Sequence, residues 1–161
     1  MRQAAVLGLA LSLVACGGHA GKPGITLNPV QTSLAAPDYA QQYLQIVTPA
    51  NAALAVAKPK LLTLPPSATG TDVARILAPY LAASQAMDEA LLRAPWPANV
   101  LLDIRALVTA DKVLEAQLQS ADTQTALSLA GWENTLTQDM GALNAAVAVV
   151  RADLGLPPSG P

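Results

Sequence analysis

The stretch LAGWENTLTQDMGALNAAVAVVRADL, residues 129–154, decides the fold. Leu129, Trp132, Leu136, Met140, Leu143, Val147, Val150 and Leu154 recur in it at spacings of three and four, which gathers them on one face of an α-helix and on no single face of a strand. The stretch also specifies its own end. Gly155 suits the left-handed residue that follows a helix, Leu156 can fold back onto the last turn, and Pro157-Pro158 forbid continuation. Upstream, this helix is expected to start near Asp122. Gly131 and Gly141 inside this helix each cost about 1 kcal/mol against alanine, which close approach of a neighbour or local bending would offset.

Three earlier segments carry the same period. Pro37-Asp38 opens a helix with Tyr39, Tyr43, Ile46, Ala50 and Leu54 on one face, kinked at Pro49 and ended by Lys58-Pro59-Lys60. Residues 58–71, with Pro59, Pro65, Pro66 and Gly70, read as the one long loop. At about 3.3 Å per extended residue it can run the length of a bundle, so the direction of helix one relative to helix two stays open. Helix two is expected to start at Thr71, with Asp72 in its first turn and a stripe of Val73, Ile76, Tyr80, Ala83, Met87 and Leu91 interrupted by Pro79. Ala94-Pro95-Trp96-Pro97 then makes a short, rigid connection that forces helices two and three antiparallel. Helix three begins with Pro97 and aligns Val100, Ile104, Leu107, Leu114 and Leu118, with Asp111 in the same register. Four amphipathic helices and at least two short connections predict an all-α four-helix bundle over residues 37–156, up-down-up-down where the long loop returns helix two antiparallel to helix one, followed by a tail over 157–161.

Ahead of the bundle, Arg2 supplies a positive n-region, Ala4 to Val14 a short apolar run, and Ala15 a small residue at a cut. Leu13-Val14-Ala15-Cys16 places a branched apolar residue, a tolerant position and a small residue before the single cysteine. In this the chain resembles a bacterial lipoprotein precursor with its lipobox. The resemblance implies a signal peptide over residues 1–15, thioether diacylation of Cys16, and a lipid anchor at the extracytoplasmic face of a bacterial cell membrane. The alanine- and glycine-rich, lysine-poor vocabulary also resembles small lipoproteins of high-GC actinobacteria. Residues 17–36 hold glycine and proline without a sustained period, so residues 16–36 read as a lipidated cysteine and flexible tether.

Removing residues 1–15 from 161 leaves 146, enough for one domain with a real core. The mature chain then carries eight basic against eleven acidic side chains, a balance without the basic stripe that nucleic acid requires. With Cys16 assigned to lipid there is no disulfide and no thiolate metal site, so stability rests on packing.

For chemistry, the one histidine, His19, lies in the tether, which leaves the bundle without a Ser-His-Asp arrangement or a Glu-x-x-His pair. No cofactor and no catalytic constellation is expected. Asp111 and Glu115, one helical turn apart, form the remaining candidate, as a cation site or an acid/base pair. Against this stand the readings that the stripe rotates slightly and both face water, or that Asp111 is buried and paired with an arginine such as Arg75, Arg105 or Arg151. Asp88-Glu89 reads as a solvated face, Trp132 as core, and Trp96 either as a plug in the bundle end or as a partner contact. The expected function is a membrane-tethered, non-enzymatic interaction or sensing module that meets an envelope component, the alternative being a carrier of a lipid or other apolar ligand between the helices.

Overall fold

A computed structural model describes residues 38–65, 67–125 and 128–158. The expected signal peptide, the lipidated Cys16 and the tether lie outside the described residues. The described chain is all-α: α1 (Tyr39–Leu62), α2 (Gly70–Arg93), α3 (Ala98–Gln119), a 3-10 turn η1 (Ser120–Thr123) and α4 (Leu129–Asp153). Each helix packs against its neighbour in sequence, and η1 packs across α2. Leu61 and Val73 line one cavity while Tyr43 and Met87 line another, which makes α1 and α2 antiparallel and settles the open direction. By the same cavities Leu118 sits with Trp132 and Leu107 with Val147, so the course is up-down-up-down.

Helix ends follow local chemistry. Asp38 caps α1, its Oδ1 accepting from the Gln41 amide at 2.9 Å. Thr69, not Thr71, caps α2, and Asp72 returns a bond to the Thr69 amide, a complete capping box. At the far end of α4, Gly155 has φ +66° and the Leu156 amide donates to the Arg151 carbonyl at 2.8 Å. The Gly155 amide donates to Ala152, which completes a Schellman motif as the sequence predicts.

Three expectations are corrected. Pro59 does not end α1, which runs on to Leu62. The helix-interior prolines Pro49, Pro59 and Pro79 all lie on exposed positions, and so do Gln45, Ala55 and Arg75, whose carbonyls lose their helical donor. Those carbonyls can turn to water, so each proline removes one bond without stranding a buried group. The long loop is therefore only residues 63–69. Asp122 falls in η1, and α4 starts at Leu129. Finally, a Cβ at Gly131 or Gly141 would meet nothing within 4 Å, so close approach does not explain either glycine.

The glycine under constraint is Gly70. A Cβ there would lie 1.9 Å from the Ala121 carbonyl oxygen and 2.9 Å from that of Gln124, both backbone atoms of the crossing segment. Gly70→Ala is expected to destabilise by about 1–3 kcal/mol through forced displacement of η1. Gly131→Ala, in open space, is expected to stabilise by up to about 1 kcal/mol. Denaturant melts of the pair check both signs.

The core follows α3 and α4 as read: Val100, Ile104, Leu107, Leu114 and Leu118 are buried, and so are Trp132, Leu136, Met140, Leu143, Val147 and Val150. In α1 the buried face is Tyr43, Val47, Ala50, Leu54, Ala57 and Leu61, with Tyr39 and Ile46 partly buried against it. In α2 the stripe is rotated by one residue over half its length. Leu77, Ser84 and Asp88 are buried where periodicity points to Ile76, Ala83 and Met87. That rotation brings polar groups into the bundle.

Candidate functional site

The rotated stripe places Ser84 and Asp88, one turn apart on α2, against Asp111 and Glu115, one turn apart on α3. All four are buried, Ser84 and Asp111 at 0% exposure, Asp88 at 3% and Glu115 at 8%. The antiparallel pair is held by its short connection: the Trp96 amide donates to the Ala94 carbonyl, and the Trp96 indole Nε1 donates to the Leu91 carbonyl at 2.6 Å. Ser84 Oγ donates to Asp111 Oδ2 at 2.5 Å. One carboxylate oxygen each from Asp88, Asp111 and Glu115 lies within 4.8 Å of the others.

No arginine among the described residues compensates this charge. Among the described residues the ion pairs are Arg75 with Asp72 and Arg93 with Glu89, both on the surface, and Arg151 Nε donates to the Pro157 carbonyl. Both oxygens of Asp88, Oδ1 of Asp111 and Oε1 of Glu115 are buried and receive no hydrogen bond from a hydroxyl, amide or cationic group; the partner open to Asp88 is Asp111, through a proton held between the two carboxyls. The neighbouring cation is Lys112, exposed on α3, whose charge acts on Asp88 and Glu115. Burial, then the charges of Asp111 and Glu115, push the Asp88 carboxyl up to about 8. Burial and the Asp111 charge raise Glu115 to about 6. Burial raises Asp111 as well, against hydrogen bonds from Ser84 and from the Asp88 carboxyl that lower it. Tyr80 closes the cluster on α2, its phenol raised by burial and by these same three carboxylates.

A second unpartnered group lies nearby. A cavity of about 20 Å³ is lined by Tyr43, Asn51, Tyr80, Met87 and Asp111 among others. The Tyr43 hydroxyl and Asn51 Oδ1 have no hydrogen-bond partner, and burial pushes the Tyr43 phenol up to about 12. The cavity toward the other end of the bundle, about 30 Å³, is lined mostly by leucines. Each is the size of about one water molecule.

Of the residues singled out in the sequence, Asp111 and Glu115 meet in this cluster, and Cys16 lies outside the described residues. Trp96 plugs the bundle end at 8% exposure, with its ring centroid 6.3 Å from that of Tyr39, so it is covered rather than offered to a partner. Asp88 corrects the reading of a solvated Asp88-Glu89 face: Glu89 is exposed and paired with Arg93, while Asp88, about 100° around the helix, turns inward. The signal that finds it is the matched pair of polar turns, Ser84-x3-Asp88 and Asp111-x3-Glu115, on consecutive antiparallel helices. No helix among the described residues is long and apolar enough to cross a membrane. Compared with known proteins, the chain matches no family model, no curated sequence and no solved structure.

Proposed function

We propose that this chain is a lipid-anchored extracytoplasmic lipoprotein whose helical bundle acts as a non-enzymatic binding and sensing module at a bacterial cell membrane. The observation that carries the sensing part is the meeting of Asp88, Asp111 and Glu115 inside the bundle without a compensating arginine. Three confined carboxylates destabilise the closed bundle, and a ligand that neutralises them stabilises it, so occupancy and bundle stability are linked. Their burial favours a ligand no larger than a small ion over an organic substrate. The anchoring part rests on Leu13-Val14-Ala15-Cys16.

The apolar lining of the 30 Å³ cavity favours, as a second reading, a carrier of an apolar ligand. At that size an acyl chain enters only if the helices part. Mass spectrometry of gently purified protein separates the two, because a carrier brings a stoichiometric lipid with it.

Cys16→Ser tests the anchor. The variant is expected to leave the membrane fraction or to persist as uncleaved precursor, while its circular dichroism stays helical. Two acyl chains contribute about 0.8 kcal/mol per buried methylene, so their loss is visible in simple fractionation. A processed Cys16→Ser protein found wholly with membranes sinks the lipoprotein reading.

A further inference from the structure

We propose that Asp88, Asp111 and Glu115 together hold one hard divalent cation, of the calcium, magnesium or manganese class, between α2 and α3. This rests on the reading of the cluster as the binding site of the bundle and names its ligand. Two different observations carry it. The first is spacing. The three donor oxygens lie within 4.8 Å of one another, and oxygens on opposite sides of a calcium ion bound at about 2.3–2.6 Å stand about 4.6–5.2 Å apart. Three oxygens no more than 4.8 Å apart lie at most about 2.8 Å (4.8/√3) from a common centre, so a shift of a few tenths of an ångström brings all three onto a calcium ion, and a larger one onto magnesium.

The second is the state of the oxygens. Asp88 is 3% exposed and no hydroxyl, amide or cationic group donates to either of its oxygens, and the same holds for the buried Asp111 Oδ1 and Glu115 Oε1; without an ion, Asp88 can meet Asp111 only by keeping a proton between them, the place a cation would take. A buried carboxylate oxygen without a donor is rare in folded proteins and calls for an ion, a proton or a water. Three acids converging on one point make a cation the strongest of these partners. Its class follows from the donors, which are all oxygen: hard ions take carboxylates, whereas zinc and copper favour the nitrogen and sulfur ligands absent from this cluster. Ser84 is a positioning residue. Its hydroxyl occupies Asp111 Oδ2 and leaves Oδ1 for the ion, as hydrogen bonds to metal-bound carboxylates commonly do.

The test uses the full chain purified in detergent, stripped with chelator, and then given calcium, magnesium or manganese chloride alone at neutral pH. At least one ion is expected to raise the melting temperature by several degrees and to add one bound ion per chain in native mass spectrometry. Asp88→Asn and Asp111→Asn remove that response, and Ser84→Ala weakens binding by about tenfold. Both Asn variants relieve repulsion in the stripped protein, so they are expected to fold, and a lost response is not lost structure. Asp153→Asn, which removes an exposed acid beside Asp103, leaves the response intact. The proposal is overturned if no ion moves the melting temperature or adds mass. It is equally overturned if Asp88→Asn responds like the wild type, or if Asp153→Asn abolishes the response. Membrane fractionation of Cys16→Ser is independent of all these readouts, so failure of the cation site and failure of the anchor are told apart.

Discussion

Leu143→Ala is expected to lower stability by about 2–5 kcal/mol, read as a large fall in the denaturant midpoint. Leu143 sits mid-seam in α4 at 4% exposure and lines the 20 Å³ cavity together with Tyr43, Leu107 and Val147. Truncation removes its apolar contacts and enlarges a void that its neighbours already leave open, so relaxation recovers little of the loss. Gln138, exposed on the same helix, provides the contrast: Gln138→Ala is expected to change stability by less than about 0.5 kcal/mol. Equal, small effects from both variants would show that α4 is not the central element of the core.

In chelator, the bundle is expected to lose stability as pH rises from about 5 to 8. The sign follows from the directions of the shifts. Asp88 is raised from 3.8 to about 8 and Glu115 from 4.5 to about 6, and Asp111 is raised too. In the unfolded chain these acids ionise near their ordinary values, while the folded chain keeps its protons until higher pH. Their contribution is therefore fully present below about pH 4 and is lost as pH rises through the folded values. A tenfold change in proton affinity is worth about 1.4 kcal/mol, which makes the cluster's effect on the order of several kcal/mol by pH 8. The groups facing Asp88 are Ser84 and Tyr80 on its own helix and Asp111, Lys112 and Glu115 on α3. Lys112 opposes the effect and is too exposed to cancel it. Melting curves at successive pH values check the slope, and Asp88→Asn is expected to flatten it and to exceed the wild type in stability at pH 8. A wild-type melting temperature that rises over this interval would mean that the three acids are ionised and compensated in the fold.

Whatever depends on neighbours along the chain was legible in the sequence alone. The seam of α4, the register that carried Asp111 into the face of α3, and the Gly155-Leu156-Pro157 stop all follow from periodicity and backbone preference within one or two turns. Asp111 and Glu115 were legible as a candidate for the same reason, since residues four apart on one helix share a side. Asp88 was not. In α2 a stripe through Met87 and a stripe through Asp88 differ by one residue, about 100° of rotation, and hydrophobicity alone favours methionine. Packing against α3 chose the other side, where the Ser84 hydroxyl meets Asp111. Gly70 is the same kind of case: in the chain it reads as a loop glycine, and only the passage of η1 across the start of α2 makes its missing side chain a requirement. The length of the first connection was decided by tertiary structure too, because Leu61 is buried beyond Pro59 while the carbonyl that the proline disappoints belongs to an exposed residue. Local sequence sets which helices form and roughly which face each buries. The rotation of one helix against another, and with it the convergence of three carboxylates on one point, is set by interdigitation of side chains that are far apart in the chain.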